Sequence, residues 1–571
     1  ARFIESIEQE CIVLFDEFDK TFKSNREDDE QAKLLSLFDG TAGGKKMYIV
    51  MDMGTSNTRL SLCDNGKILV SKKGAFGAGS SKSHGKRFLF DSLKSLIGDL
   101  LDEGGADESR VERIFASGMA GSEIGLCDVA RISLPCDVYK LADNLSEVGL
   151  EAITNIPFVF VPGLKKERNG ELADVMRGEE TEVAGILASG AVKGEAVIVL
   201  PGTHNKVIKV NAEGEITDFY TTFSGELLAG IVSGSILAGQ VSHSFELSEL
   251  DLIGGAEFAK ENGLNAAVFH VRVMALGGKD INRLSSFLYG AVLGQDISLI
   301  RRVAAGQNIY VGGKESLKRA YGLLIGEEAI LLDGEVAEGA VSRGLEDIRK
   351  LHNNRKVRSC VLDAIEREKL IAIVRCPARD SFAKAMRAIY DGGVRLAEIT
   401  FDRSGKYPKE YTAEMIKLLV DEFGGDMLVG AGTVMSKEEV MMAYEAGASY
   451  MISPNCDPEV IELTRKLGLV SIPAAFTATE IAAALKSGAD YIKLFPADQA
   501  GEGYVKAVKA PIADAKLLAV GGVTAENAGD FLKKGFCGVG VGSNLYNNKL
   551  VEAGDFAAIT ELAKKFVDAV K

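Results

Sequence analysis

The chain has little proline, 11 residues in 571, and only five histidines. Two larger features are missing. No apolar run approaches the ~20 residues that a membrane-spanning helix needs, which argues against a membrane partner. No basic block stands out against a formal net charge of −15, which argues against nucleic acid. The eight cysteines (Cys11, Cys63, Cys127, Cys136, Cys360, Cys376, Cys456, Cys537) are scattered, with no C-x-x-C pair. That spacing suits buried thiols in a reducing compartment. The cytoplasm fits, as does an organelle stroma if the N-terminus, which begins with Ala, is a processed one. What is present is ordinary for a globular enzyme: 46% apolar residues, 26% charged, and 63 glycines that suit many tight strand–helix turns. At ~100–200 residues per domain the length implies three or four units, or two large ones.

Residues 1–45 read as a helix and linker. Phe3, Ile4, Ile7, Cys11, Leu14, Phe15 and Phe18 recur at helical spacing with acids between them. The character changes at Lys46. Met47-Tyr-Ile-Val-Met-Asp52 predicts a strand, followed by Met53-Gly-Thr-Ser-Asn-Thr-Arg59 and a second strand. Such a hairpin sets hydroxyls and backbone N–H groups at a turn where phosphate can sit. It nominates Gly54, Thr55, Ser56, Asn57 and Arg59, with Asp52 placed to hold Mg²⁺ through water. Ala196-Val-Ile-Val-Leu-Pro-Gly-Thr-His-Asn-Lys206 repeats the pattern and nominates Gly202, Thr203, His204, Asn205 and Lys206. Ile309-Tyr-Val-Gly-Gly-Lys314 leads into a helix, so Gly312 and Gly313 suit a nucleotide base or ribose at the helix start. Alone, each is an ordinary turn. Together they point to a duplicated fold that grips a nucleotide between its halves.

Residues 46–350 resemble the 2-dehydro-3-deoxygalactonokinase family of the actin-like sugar-kinase superfamily. The matching stretches are 52–59, Ser117-Gly-Met-Ala-Gly-Ser122, Phe160-Val-Pro-Gly-Leu164, Asp174-Val-Met-Arg-Gly-Glu-Glu-Thr181, Pro201-Gly-Thr-His-Asn-Lys206 and Ser224-Gly-Glu-Leu227. Met53 stands where related kinases carry an aromatic residue. The resemblance implies an actin-like, ribonuclease H-like duplicated α/β fold using ATP and Mg²⁺. It also implies transfer to the 6-hydroxyl of a 2-keto-3-deoxy sugar acid. That reaction needs charge neutralisation, in-line positioning and a carboxylate to accept the hydroxyl proton. By its place in the family motif Glu179 is the expected base, with Asp174 and Glu180 as rivals. Arg177 and the turn Ala120-Gly-Ser122 are candidates for the substrate carboxylate.

Residues 351–357 read as a linker. Beyond them short apolar strands at 371–375, 396–400, 428–431, 450–453, 469–473, 491–494, 517–520 and 538–541 alternate with amphipathic helices. That is the pattern of a (β/α)₈ TIM barrel over 358–571, in which chemistry collects at the C-terminal strand ends. Those ends carry Arg375, Glu398, Thr433, Pro454 and Lys493. The turns Gly521-Gly522 and Gly542-Ser543 follow the last two strands, where barrels commonly bind phosphate. Lys493 lies in the run Tyr491-Ile-Lys-Leu-Phe495. If buried, its ammonium is costly to desolvate, and the neutral amine can attack a carbonyl to form a Schiff base. The plain alternative is a lysine that snorkels to water. All five histidines (His84, His204, His243, His270, His352) precede the barrel. It therefore lacks the imidazoles a zinc-enolate aldolase would normally use, which favours the Schiff-base route.

This part resembles the 2-keto-3-deoxy-6-phosphogluconate/galactonate aldolases. The shared motifs are Glu398-Ile-Thr400, Gly430-Ala-Gly-Thr-Val434, Ile452-Ser-Pro454, Ile492-Lys-Leu-Phe-Pro496, Val520-Gly-Gly-Val523 and Val541-Gly-Ser543. The resemblance implies a class I aldolase with no cofactor: Lys493 meets the C2 ketone and Glu398 shuttles protons through water. Arg375, Thr433 and Phe495 shape the pyruvate end. Asp402, followed by Arg403, stands where gluconate-type enzymes carry Arg. It also implies a homo-oligomer, trimeric through this domain. The combined expectation is phosphorylation of 2-dehydro-3-deoxy-D-galactonate, then cleavage to pyruvate and glyceraldehyde 3-phosphate. The alternatives are the same steps on the gluconate epimer, or a non-catalytic assembly subunit that keeps the folds.

Overall fold

The computed structural model describes residues 47–64, 66–375, 379–500 and 503–571. The helix expected within residues 1–45 lies outside the described residues. Two compact units divide the described chain, one up to residue 350 and one over 351–571. Residues 351–357, expected as a linker, are helical instead, within Ala340–Glu368. No helix among the described residues is long and apolar enough to cross a membrane.

The first unit contains two sheets of matching topology. In the first, Met47–Met53 pairs antiparallel with Thr58–Asp64 and parallel with Val111–Gly118. In the second, Ala196–Leu200 pairs antiparallel with Asn205–Val210 and parallel with Asn308–Val311. Both central strands are nearly unbroken apolar runs, as strands covered on both faces must be. The helix Lys86–Glu103 turns Leu89, Leu93, Leu96, Ile97, Leu100 and Leu101 inward, and these join Ile49, Met51, Leu60 and Phe158 in one core. Two helices of this unit touch backbone to backbone. A Cβ added at Gly185, in Glu179–Ala188, would stand 1.7 Å from the Ala340 carbonyl oxygen, and one at Gly344 would stand 2.1 Å from that of Thr181.

The second unit is the expected eight-stranded parallel barrel. Its last strand, Gly538–Val541, pairs with its first, Leu370–Arg375, and closes the ring. The fifth strand differs in detail: it runs as Val470–Ile472 and Ala474–Ala475 on either side of Pro473. Proline offers no N–H to the ladder, but its carbonyl accepts a hydrogen bond from the Lys493 amide at 2.9 Å. Inside the barrel Gly430 leaves the space that the Tyr450 ring fills, since a Cβ there would lie 2.2 Å from it. The Tyr450 hydroxyl donates to the Ala397 carbonyl at 2.7 Å.

Candidate active sites

In the barrel, Glu398 on the second strand and Lys493 on the sixth line one small enclosed cavity. Its other walls include Ile371, Ile373, Ile452, Ile472, Leu518 and Val520. Alternation along a strand sends every second side chain inward, and here the inward set is apolar except for one acid and one amine. Glu398 is 1% exposed and Lys493 7%. Burial pushes the Glu398 carboxyl up to about 7, with Lys493 and Arg375 pulling it back down. Burial lowers the Lys493 ammonium; Glu398 opposes that shift and Arg375 adds to it. Both shifts favour the neutral forms, and at this burial the lysine does not snorkel to water.

The neighbouring strand ends complete this site. The Lys493 amine lies 5.2 Å from the Phe495 ring centre. A Cβ on Gly521 would reach the same ring, and a Cβ on Gly542 would face the Arg375 guanidinium at 3.9 Å. Gly521 and Gly522 both have positive φ, 102° and 71°, which fits the turn and which other residues rarely adopt. Ser543 is exposed beside Gly542, and Pro454 is half-buried two residues past the fourth strand. Gly432 sits against Glu398; a Cβ there would lie 2.8 Å from its carboxyl carbon. Thr433 follows with φ 57°, a left-handed conformation that is strained for a β-branched residue.

Arg403, beside the departure in the family motif, donates to the Thr433 carbonyl at 2.7 Å and to the buried Glu439 at 2.6 Å. Asp402 accepts from the Ser404 and Tyr407 amides and caps its own loop. Sequence reasoning missed Glu439, which looks like any helix-surface acid.

Glu398 also links this site to stability. The fold keeps its proton from 4.5, where an unfolded carboxyl releases it, up to about 7. The native state binds more protons in that window, so stability falls as pH rises through it, by about 3 kcal/mol in all. Lys493 acts in the opposite sense in the alkaline range. Glu398→Gln is expected to flatten the loss of barrel stability between these pH values in calorimetric melts. An unchanged slope would show that another group carries it.

In the first unit the two Gly-Thr turns form as expected, closing Asp52 against Arg59 and Leu200 against Lys206. Gly54, Thr55, Ser56 and Asn57 are exposed, as are Gly202, Thr203 and His204. The loop over 77–79 braces the first turn, with the Ala78 and Gly79 amides donating to the Gly54 and Thr55 carbonyls at 3.0 and 2.8 Å. His204 bonds Glu226 at 2.6 Å.

Two expectations need correction. The Asn205 side chain is not presented to a nucleotide: it accepts from the Gly202 amide and donates to Asp296 and the Tyr321 hydroxyl. Gly312 is buried, and a Cβ there would meet Leu200 at 2.9 Å, so it serves close packing under the turn. Gly313, at φ 79°, is half-buried against Pro201.

The three candidate bases differ in what occupies them. Asp174 accepts both the Thr221 amide and hydroxyl, at 2.8 and 2.7 Å. Glu180 is fully buried, and both its oxygens accept the Gly178 amide. Glu179 keeps 25% side-chain exposure and has the buried Lys206 ammonium 4.0 Å away. Burial raises its carboxyl, and Lys206 opposes that.

Glu182, not singled out in the sequence, is pushed up to about 8 by burial and by Glu179 and Asp52. Burial raises Asp52 as well, with Arg59 opposing. No three His, Cys, Asp or Glu residues among the described ones are placed as a ready metal cluster. The repulsion around Glu182 is nonetheless what a cation arriving with nucleotide phosphates would relieve.

Asp296 is the residue that sequence reasoning missed most completely. It is 5% exposed and accepts from Asn205, Thr222, Ser224 and Tyr321, tying the second turn to two helices. The two carboxylate oxygens have the acceptor capacity for all four donors at once. Asp296→Asn is expected to raise KM for the nucleotide about 10-fold or more, from the loss of one charged acceptor, with the barrel reaction unaffected. Steady-state kinetics check it; an unchanged nucleotide KM would reduce the cluster to packing.

Residues 52–348 match the 2-keto-3-deoxy-galactonokinase family, and residues 361–562 match KDPG and KHG aldolase. A 2-dehydro-3-deoxy-6-phosphogalactonate aldolase of Escherichia coli (strain K12) is 36% identical over 178 residues, covering 31% of this chain and 84% of that protein. The chain belongs to both families. It joins a sugar-acid kinase and a class I aldolase in one polypeptide. A 2-dehydro-3-deoxy-phosphogluconate aldolase of Treponema pallidum is 30% identical over 214 residues, 37% of this chain and 97% of its own. A solved structure from Sinorhizobium meliloti, described as a 2-dehydro-3-deoxygalactonokinase, covers 53% of this chain and 98% of its own at 23% identity and TM-score 0.44.

Proposed function

We propose that the kinase unit uses MgATP to phosphorylate the 6-hydroxyl of 2-dehydro-3-deoxy-D-galactonate. The aldolase unit then cleaves that product to pyruvate and D-glyceraldehyde 3-phosphate. The observation that carries this reading is the buried Glu398–Lys493 pair, both shifted toward neutrality, on the same chain as a galactonokinase-family fold. The product of the first unit then has the ketone and phosphate the second is built to use.

In the kinase, Glu179 accepts the proton of the attacking hydroxyl, and Lys206 keeps its carboxylate available. The two Gly-Thr turns hold the nucleotide phosphates. Asp52, with Glu182 nearby, would hold the cation, which supplies charge neutralisation. In the aldolase, the Lys493 amine adds to the C2 ketone and Glu398 moves protons as the carbinolamine loses water. As Glu398 takes the C4 hydroxyl proton through water, the C3–C4 bond breaks toward the iminium, leaving the aldehyde and an enzyme-bound enamine; protonation at C3 and hydrolysis then release pyruvate and free Lys493. Arg375, Thr433, Pro454 and Phe495 shape the pyruvate end, and Gly521, Gly522, Gly542 and Ser543 cradle the phosphate. We place the working enzyme in a homo-oligomer, trimeric through the barrel.

A coupled assay tests the reading: purified protein with ATP, Mg²⁺ and each epimeric sugar acid, followed by pyruvate release. The galactonate form is expected to give the larger kcat/KM. A larger value for the gluconate form reassigns the substrate, and no pyruvate from either overturns the proposal.

A further inference from the structure

Arg131 and Arg177 stand together at one end of a small three-stranded sheet. Ile132–Ser133 pairs with Leu164–Arg168, which pairs with Glu171–Met176. The register aligns Ile132 with Leu164 and Leu164 with Met176. The next row along this edge is therefore Arg131, Gly163 and Arg177: two arginines with a bare glycine between them. A second glycine faces the same group. A Cβ on Gly121 would stand 2.8 Å from Nη1 of Arg177; one on Gly163 would meet the Met176 carbonyl oxygen at 2.6 Å and Nε of Arg177 at 3.3 Å. Neither glycine has positive φ. Their value here is the room they leave.

The acids that act on this row, Glu180 and Asp128 on Arg177, do so only at longer range. Among the described residues neither arginine makes an ion pair within 4 Å. Arg177 spends Nη2 on the Val129 carbonyl at 2.6 Å. Its Nε and Nη1, and Nε of Arg131, are buried with no hydrogen-bond partner. Arg131 makes no hydrogen bond to the protein among the described residues. A buried guanidinium nitrogen without an acceptor is costly, and two guanidinium groups side by side repel each other. Burial and the Arg131 charge both lower the Arg177 pKa. A planar carboxylate, which matches the guanidinium fork, would relieve all of these at once.

The row also lies next to the chemistry. The Arg177 amide donates to Oε2 of Glu179 at 3.2 Å. Gly178, between them, packs on Gly118, which the sheet register places beside Met53 and so next to Asp52.

We infer that Arg131 and Arg177 form the kinase subsite for the C1 carboxylate of the sugar acid, with Gly121 and Gly163 leaving room for the guanidinium groups. The inference rests on the reading of this unit as a sugar-acid kinase and adds Arg131 to it. The test compares the sugar acid with its C1 amide in wild type, Arg131→Gln and Arg131→Lys, measuring phosphoryl transfer. In wild type the acid is preferred. Arg131→Gln is expected to raise KM for the acid about 10- to 100-fold, through loss of a charged hydrogen bond, and to collapse the acid-to-amide preference. Arg131→Lys should restore part of it. Aldolase activity of the same samples on the phosphorylated acid reports that the chain is folded. Equal losses on acid and amide, or a fall in kcat at unchanged KM, would overturn the subsite. If wild type phosphorylates neither epimer, the functional reading fails, and calorimetric binding of acid and amide decides the subsite instead. An acid preference that Arg131→Gln removes supports it, and the lack of such a preference overturns it.

Discussion

Lys493→Ala is expected to lower aldol cleavage about 10⁴-fold or more, the scale on which enzymes lose turnover with their nucleophile, while phosphoryl transfer by the same molecules continues. The size of the effect follows from the site. Among the described residues Lys493 is the only lysine that lines the cavity with Glu398, so no other amine of that lining can form the imine. Arginine is no substitute, because its guanidinium does not deprotonate. Borohydride reduction in the presence of pyruvate should add a stable three-carbon adduct to the peptide carrying Lys493 in wild type and to no peptide in the variant. Labelling elsewhere, or cleavage surviving in Lys493→Ala, would remove the Schiff base from this residue.

Glu179→Gln should do the reverse, lowering kcat for phosphorylation by ~10²–10⁴-fold, the usual contribution of a general base. Cleavage of supplied phosphorylated acid should be unchanged. Glutamine still accepts the Arg177 amide that Glu179 now accepts at 3.2 Å, so the turn keeps its shape and the loss isolates proton acceptance. The comparison variants are Asp174→Asn and Glu180→Gln. Both carboxylates are engaged by neighbouring backbone amides, and their variants should show in thermal melts more than in kcat. A larger kcat loss in either than in Glu179→Gln would move the base there.

Much of this was legible because it is periodic or local. Alternating apolar strands and helices specify the barrel, and the position of Lys493 on the sixth strand follows from counting. The Gly-Thr turns are likewise visible as strand, turn, strand. Asp296 was not legible, because its four partners come from residues 205, 222, 224 and 321, and no spacing announces that convergence. Asn205 was assigned to the nucleotide since it sits in the turn motif. Its strand is buried on both faces, so alternation could not say which way it points. Arg131 was missed for a similar reason: its link to Arg177 is a matter of sheet register across more than forty intervening residues. Residues 351–357 read as a linker from their charge, but they form a helix that leaves none of them exposed, with Leu351 and Val357 buried.

The crossing of Glu179–Ala188 with Ala340–Glu368 adds a constraint of another kind. Gly185 and Gly344 carry no chemistry, yet a single methyl at either would collide with backbone that cannot turn aside. The helix that begins at Glu179 is therefore held at a fixed height by two positions with no side chains. The acids and arginines around it can be exchanged for near-isosteric neutral residues without such a collision. These two glycines admit no graded change, so the Glu179 carboxylate inherits its placement from the least conspicuous residues in the unit.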